Sequence, residues 1–136
     1  MRRWVVFTPF RREQTGHADI HVRVLHPHLY ALAWNRSCRE DRERAARLQA
    51  AIRLVDPKAT VLRIPIRSRG TRYASLVNWL QLGRRLLIPR FPLTPAEDLR
   101  ETERLLRRQG FRPEFLWCPT LEWHGAIHCL TASVYV

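Results

Sequence analysis

Ser37-Cys38-Arg39-Glu40 and Thr94-Pro95-Ala96-Glu97 each open a helix, 57 residues apart. In both, a hydroxyl is followed three positions on by a glutamate, the pattern in which the two side chains cap each other's backbone N–H groups. The first helix is expected to run to about Leu54, with Ala45, Leu48, Ala51, Ile52 and Val55 on one apolar face and Asp56-Pro57 as its stop. The second has Pro95 at its first position, carries Leu99, Thr102, Leu105 and Leu106 inward, and has Gly110 just past its end.

Strands flank both helices in the same order. Asp19 to Leu25 alternates and is rich in β-formers, His26-Pro27-His28 turns, and Leu29 to Trp34 completes a hairpin. Tyr73 to Leu82, a turn at Gly83 to Arg85, and Leu86 to Phe91 repeat it. Thr60 to Ile66 and Glu114 to Pro119 follow the two helices. Asp19 matches Ser75 at an offset of 56, and Thr60 matches Glu114 at an offset of 54. The chain is therefore α/β, built of two strand-strand-helix-strand units over residues 17–66 and 73–119, with a third begun at 126–136. Trp4 to Phe10 reads as a strand, Arg67 to Arg72 as a basic loop, Glu122 to Gly125 as a loop and Ala126 to Val136 as a final strand. Repeats of this size pack around an axis or in a row, and about three are needed to bury a continuous core. The remaining faces are expected to be covered by a missing N-terminal portion of a ring or by another subunit, as in a homo-oligomer.

The 136 residues suffice for one domain with a core, and 46% hydrophobic content with five Trp excludes a disordered chain. No apolar run reaches the ~18 residues of a membrane span, and the N-terminal run has no signal-peptide pattern, so a cytoplasmic protein without a membrane partner is expected. Cys38, Cys118 and Cys129 form no CxxC pair, which argues against a disulfide framework or a structural zinc site. The net charge of +12 raises nucleic acid as a partner. Lys58 is the only lysine, however, the arginines are spread along the chain beside Glu and Asp, and no aromatic-rich RNA-binding signature appears. No nucleic-acid partner is expected.

Chemistry concentrates near the two ends. In Gly125-Ala126-Ile127-His128-Cys129-Leu130-Thr131 a thiol opens a strand-like run behind small residues that let a ligand approach. A buried, inert cysteine is the plain alternative. Upstream, Gly16-His17-Ala18-Asp19 precedes or opens a strand; on a strand His17 and Asp19 would share one face about 6.6 Å apart, placed to hold two sides of a small cation. A surface His beside a turn-capping Asp is equally compatible with the spacing. His17 and His21 have the spacing of a helical metal pair, but on a strand they lie about 13 Å apart, so no metal and no cofactor is expected. His128 should face away from Cys129, and His124 has no assigned role. An Arg67, Arg69 and Arg72 loop facing a substrate carboxylate would favour an arginine-like ligand, whereas a solvated loop would not.

Thr15-Gly16-His17-Ala18-Asp19, Tyr73-Ala74-Ser75-Leu76-Val77-Asn78-Trp79, Ile88-Pro89-Arg90-Phe91 and Gly125 to Thr131, in that order and spacing, resemble the agmatine deiminase and Porphyromonas-type peptidylarginine deiminase family of the pentein superfamily. The resemblance covers nearly the whole chain. It implies a partial five-fold propeller of ββαβ units and hydrolytic deimination of a small guanidino substrate or an arginyl peptide, as in putrescine biosynthesis from agmatine. By the same resemblance Cys129 is the nucleophile, His17 the general acid/base, Asp19 the carboxylate gripping the guanidinium, and Asn78 and Gly125 part of the substrate pocket. Three positions depart from the family. The glycine run before the thiol is reduced to His124-Gly125-Ala126, Leu76 stands where the family has Tyr, and two upstream acidic residues have no counterpart. With Met1 about fifteen residues before His17, the chain is expected to be the C-terminal part of such an enzyme. A non-catalytic binding or assembly module is the alternative.

Overall fold

The computed structural model of the protein describes residues 4–119 and 126–130. A single helical turn, α1 (Ala18–His21), leads into the hairpin of β1 (Val22–His26) and β2 (Leu29–Asn35). The crossover α2 (Arg39–Val55) then returns the chain as β3 (Thr60–Arg69), parallel to β2 from Leu29 opposite Thr60 to Asn35 opposite Ile66. A parallel pair requires such a crossover, and the helix supplies it. β4 (Arg72–Ala74) folds back on β3, giving the sheet order β1-β2-β3-β4. The pattern recurs in β5 (Leu80–Leu82), β6 (Arg85–Arg90), α3 (Ala96–Arg108) and β7 (Arg112–Trp117), ordered β5-β6-β7 with β6 and β7 parallel.

The core follows from the sequence pattern. β2 buries Leu29, Ala31, Leu32, Ala33 and Asn35, a nearly continuous run typical of a strand covered on both faces. Ile64 and Ile66 of β3, Leu86 and Ile88 of β6, Ala45, Leu48 and Ile52 of α2, and Leu106 of α3 join it. α3 ends in a Schellman arrangement. The Phe111 N–H reaches the Leu106 carbonyl at 3.1 Å, and the Gly110 N–H reaches the Arg107 carbonyl at 3.0 Å. Gly110 takes φ +81°, which a side chain would strain.

The helix starts differ from the capping-box expectation. α2 and α3 are preceded by Cys38 and Pro95, and neither gives a side-chain cap. The Ser37 hydroxyl instead accepts the Ser68 N–H at 3.2 Å, and the Thr94 hydroxyl is buried without a partner. A fully buried carboxylate in each first turn, Asp41 and Asp98, takes over the favourable negative charge at the helix N-terminus. Both carboxylates fasten neighbouring segments. Asp98 accepts Arg36 Nη1 at 2.9 Å and Arg67 Nε at 2.7 Å, from the ends of β2 and β3. Asp41 accepts the Arg11 N–H at 2.7 Å, Asn35 Nδ2 at 2.8 Å and the Tyr73 hydroxyl at 2.9 Å. The preceding glutamates repeat the pattern: Arg67 pairs with Glu97 at 3.2 Å and Arg11 with Glu40 at 2.8 Å. Arg11 therefore stands toward α2 as Arg67 of β3 stands toward α3.

Other strand expectations need correction. Residues 4–10 are extended but belong to no ladder among the described residues, because a strand requires a partner as well as a pattern. The expected strand at 73–82 is broken at 75–79 by a turn that buries Leu76, Val77, Asn78 and Trp79. Arg67 lies within β3 and is committed to Asp98, so it faces no ligand.

Candidate active site

The carboxylate of Glu13 shapes the amino-terminal half of the site. Its Oε1 accepts the Thr15 N–H at 2.7 Å and the Thr15 hydroxyl at 2.6 Å, and its Oε2 accepts the Gly16 N–H at 2.6 Å. The tight turn puts Gly16 at φ +65°, the left-handed region open to glycine. His17 thereby becomes the residue preceding α1, and Asp19 sits in the first turn of that helix. From the second unit the Ser75 hydroxyl donates to the Ile20 carbonyl at 2.7 Å, bracing the turn from behind.

The carboxy-terminal half is placed by one backbone bond, the His128 N–H to the Asn78 carbonyl at 3.2 Å. His128–Leu130 form a 3₁₀ turn, not the start of a strand. This brings Cys129 beside Asp19, 110 positions away: the thiol donates to Asp19 Oδ2 at 3.4 Å. Asn78 Nδ2 donates to the sulfur at 3.2 Å. The ligand atoms of His17, Asp19 and Cys129 all lie within 4.8 Å of one another.

Two expectations at the site are overturned. His17 and Asp19 do not share the face of a strand, because residues 18–21 coil into a helical turn. His128 does not face away from the thiol, because the 3₁₀ turn replaces strand alternation, and its Nδ1 meets Asp19 Oδ2 at 2.6 Å. Gly125 and His124 lie outside the described residues. His21 is buried between the rings of Phe7 and Phe10, at 5.1 and 4.3 Å, so it shares no ligand with His17.

The electrostatics follow from these contacts. Burial pushes the Asp19 carboxyl upward, but the hydrogen bonds from His128 and Cys129 and the positive charge of the two imidazoles outweigh it and hold the group below its ordinary range. Arg23, half-buried nearby, is pulled down by burial while the charges of Asp19 and Cys129 oppose that pull; it stays a cation. Burial drives His21 down to about 4 against the attraction of Glu13, whose Oε2 is 3.7 Å from its Nε2. Three buried polar atoms of residues around the thiol have no partner among the described residues: Asp19 Oδ1, Asn78 Oδ1 and Arg23 Nε. Two unfilled acceptor oxygens next to a nucleophile suit a ligand rich in N–H donors.

Glu13, Arg23 and His128 were not picked out as site residues by sequence. For Glu13 a signal existed, a carboxylate just ahead of Thr-Gly in a polar connection. Arg23 and His128 depend on the turns at α1 and His128–Leu130, which no periodicity announces.

Two ββαβ units with a thiol, an imidazole and a carboxylate gathered at one end make a partial propeller of the pentein type. The chain has the fold of solved deiminases. It covers 93% of itself and 40% of the Campylobacter jejuni agmatine deiminase, at TM-score 0.70 and 14% identity. The same enzyme carrying a Cys→Ser change, with substrate bound, gives TM-score 0.63 and 13% identity over 85% of this chain and 36% of that one. A structure assigned as a peptidyl-arginine deiminase gives TM-score 0.71 and 17% identity over 98% of this chain and 43% of that one. The chain thus spans about two fifths of the length of these structures. No family profile and no curated protein sequence matches it.

Proposed function

We propose that the chain is part of a guanidine deiminase, which hydrolyses the guanidinium group of agmatine or of peptidyl-arginine and releases ammonia. The observation that carries this reading is the meeting of Cys129, His17 and Asp19 within 4.8 Å. In support, a Cys→Ser variant of a structural neighbour is described with substrate bound.

In this mechanism the substrate guanidinium donates hydrogen bonds to Asp19, whose Oδ1 is unfilled among the described residues, and to the side-chain amide oxygen Oδ1 of Asn78. The Cys129 sulfur attacks the guanidinium carbon as a thiolate, forming a C–S bond. His17 protonates the departing nitrogen, the C–N bond breaks and ammonia leaves, so a thiouronium cation remains on Cys129. His17 then takes a proton from water, whose oxygen adds to the same carbon. Collapse expels the thiolate, the added oxygen gives up its remaining proton to the released ammonia, and the neutral ureido product leaves.

The test measures ammonia and ureido product from agmatine and from an arginyl peptide, using the chain alone and the chain with its upstream coding region. Equimolar products that vanish in Cys129→Ala support the reading, and undiminished turnover in that variant overturns it. One observation favours a second reading, a non-catalytic assembly module. Trp4 and Val6 stand 81% and 92% exposed on the segment leading to Arg11, as residues would that await a neighbouring unit. An obligate complex with no ammonia release from either substrate would select that reading.

A further inference from the structure

We propose that Cys129, His17 and Asp19 form a binding site for one borderline-soft divalent metal ion, zinc above all, and that the ion excludes the guanidino substrate. The metal binding stands on its own geometry. Only its consequence for turnover rests on the deiminase reading.

The donor set is the first argument. A thiolate, an imidazole and a carboxylate are the three ligand types that zinc takes from proteins. The sequence places a metal pair at His17 and His21 and rejects it on strand spacing. The structure assembles a different set, drawing on residues 110 positions apart. The second argument is metric. Cys129 Sγ and Asp19 Oδ2 are 3.4 Å apart, and all three ligand atoms lie within 4.8 Å of one another. A tetrahedral ion with Zn–S ~2.3 Å and Zn–O ~2.1 Å separates sulfur from oxygen by about 3.6 Å. A small inward movement of the exposed His17 completes the three-ligand face.

The surroundings supply the third argument. His128 Nδ1 holds the Asp19 carboxylate at 2.6 Å, and Asn78 Nδ2 holds the sulfur at 3.2 Å. Such outer hydrogen bonds orient ligands and tighten metal sites. Asp19 Oδ2 has a second lone pair, so it can coordinate while it keeps the hydrogen bond from His128. Three protein ligands leave a fourth position open, as in exchangeable sites and unlike closed structural ones. On binding, the thiol proton leaves to solvent and a Zn–S bond replaces the S–H bond. The two negative ligands then balance the ion's charge. The Arg23 cation, which feels the charges of both Asp19 and Cys129, opposes the ion and sets this site below a structural zinc site in affinity.

The test is a titration of the reduced, chelator-stripped full chain with Co²⁺, followed by displacement with Zn²⁺. One equivalent of Co²⁺ is expected to produce a thiolate-to-metal charge-transfer band and tetrahedral visible bands, both erased by Zn²⁺. Cys129→Ser should remove the charge-transfer band, His17→Ala should weaken binding about tenfold or more, and His128→Ala should weaken it about 10–100-fold. Cys38→Ser should leave the titration unchanged, and circular dichroism confirms that each variant is folded. Absence of stoichiometric binding, or a band that survives Cys129→Ser, overturns the inference. Where turnover is measurable, Zn²⁺ should inhibit competitively with substrate and a chelator should restore activity. Turnover indifferent to zinc overturns the inference and leaves the deiminase reading intact. Metal binding in a chain without turnover in any form overturns only the deiminase reading.

Discussion

Residues 15–23 and 71–79 hold the same place in successive units, each leading into the hairpin that precedes a crossover helix. In the first unit the stretch is open. His17 is exposed, Asp19 half-buried, and one carboxylate oxygen is unfilled. In the second it is closed: Ala74, Ser75, Leu76, Val77, Asn78 and Trp79 are all buried. Its polar groups face the first unit, Ser75 toward the Ile20 carbonyl and Asn78 toward Cys129. The repeat therefore supplies position twice and chemistry once, with the second copy acting as the brace of the first. Glycine makes part of the difference. Gly16 permits the left-handed turn that lifts His17 out, whereas Arg72 occupies the matching position as part of β4.

The comparison is broken most completely by Cys129→Ala, which should reduce ureido formation to background in product assays and leave the fold intact, since the thiol is exposed. Asp19→Asn removes the charge from the open stretch. The loss of a charged hydrogen bond, about 1.5–3 kcal/mol, should raise KM roughly tenfold to a hundredfold. The packing beneath the open stretch is loosened by acid. His21 is buried neutral with its pKa lowered from 6.5 to about 4. The unfolded chain takes up that proton first as pH falls, so stability should drop between pH 6.5 and 4 by on the order of 3 kcal/mol. Glu13, also shifted down, loses its contribution in the same direction, as pH falls through its folded value. Urea unfolding at stepped pH measures the drop, and His21→Leu should flatten its upper part. Ser75→Ala sharpens the comparison most gently. It leaves the buried Ile20 carbonyl without its donor, at about 1–3 kcal/mol in urea unfolding. Because that carbonyl belongs to α1, kcat should fall more than the stability change alone accounts for.

Much of this architecture is legible in the sequence, for reasons that can be named. The two helices carry period-3.6 faces, β2 and β6 are apolar runs bounded by turns, and Gly110 marks a helix end, so units recur visibly at offsets of 54 to 57 residues. The failures share a cause. α1 and the turn at His128–Leu130 are too short for any periodicity, and their β-rich composition points to strands. Reading strands there placed His17 too far from Asp19 and turned His128 the wrong way. The helix starts were located by hydroxyl–glutamate spacing, yet the buried Asp41 and Asp98 anchor them, each tied to segments that only the folded chain brings near. The association of Asp19 with Cys129 cannot be derived from local pattern at all, and it entered through resemblance.

The most direct measurement of the central claim, that thiol and carboxylate share one cation-accepting cavity, is the alkylation rate of Cys129 by a cationic chloroacetamidine against neutral chloroacetamide of the same size. The account predicts that the cation labels Cys129 preferentially over Cys38, and that Asp19→Asn erases the preference. Equal rates for the two reagents, or a preference untouched by Asp19→Asn, would contradict it.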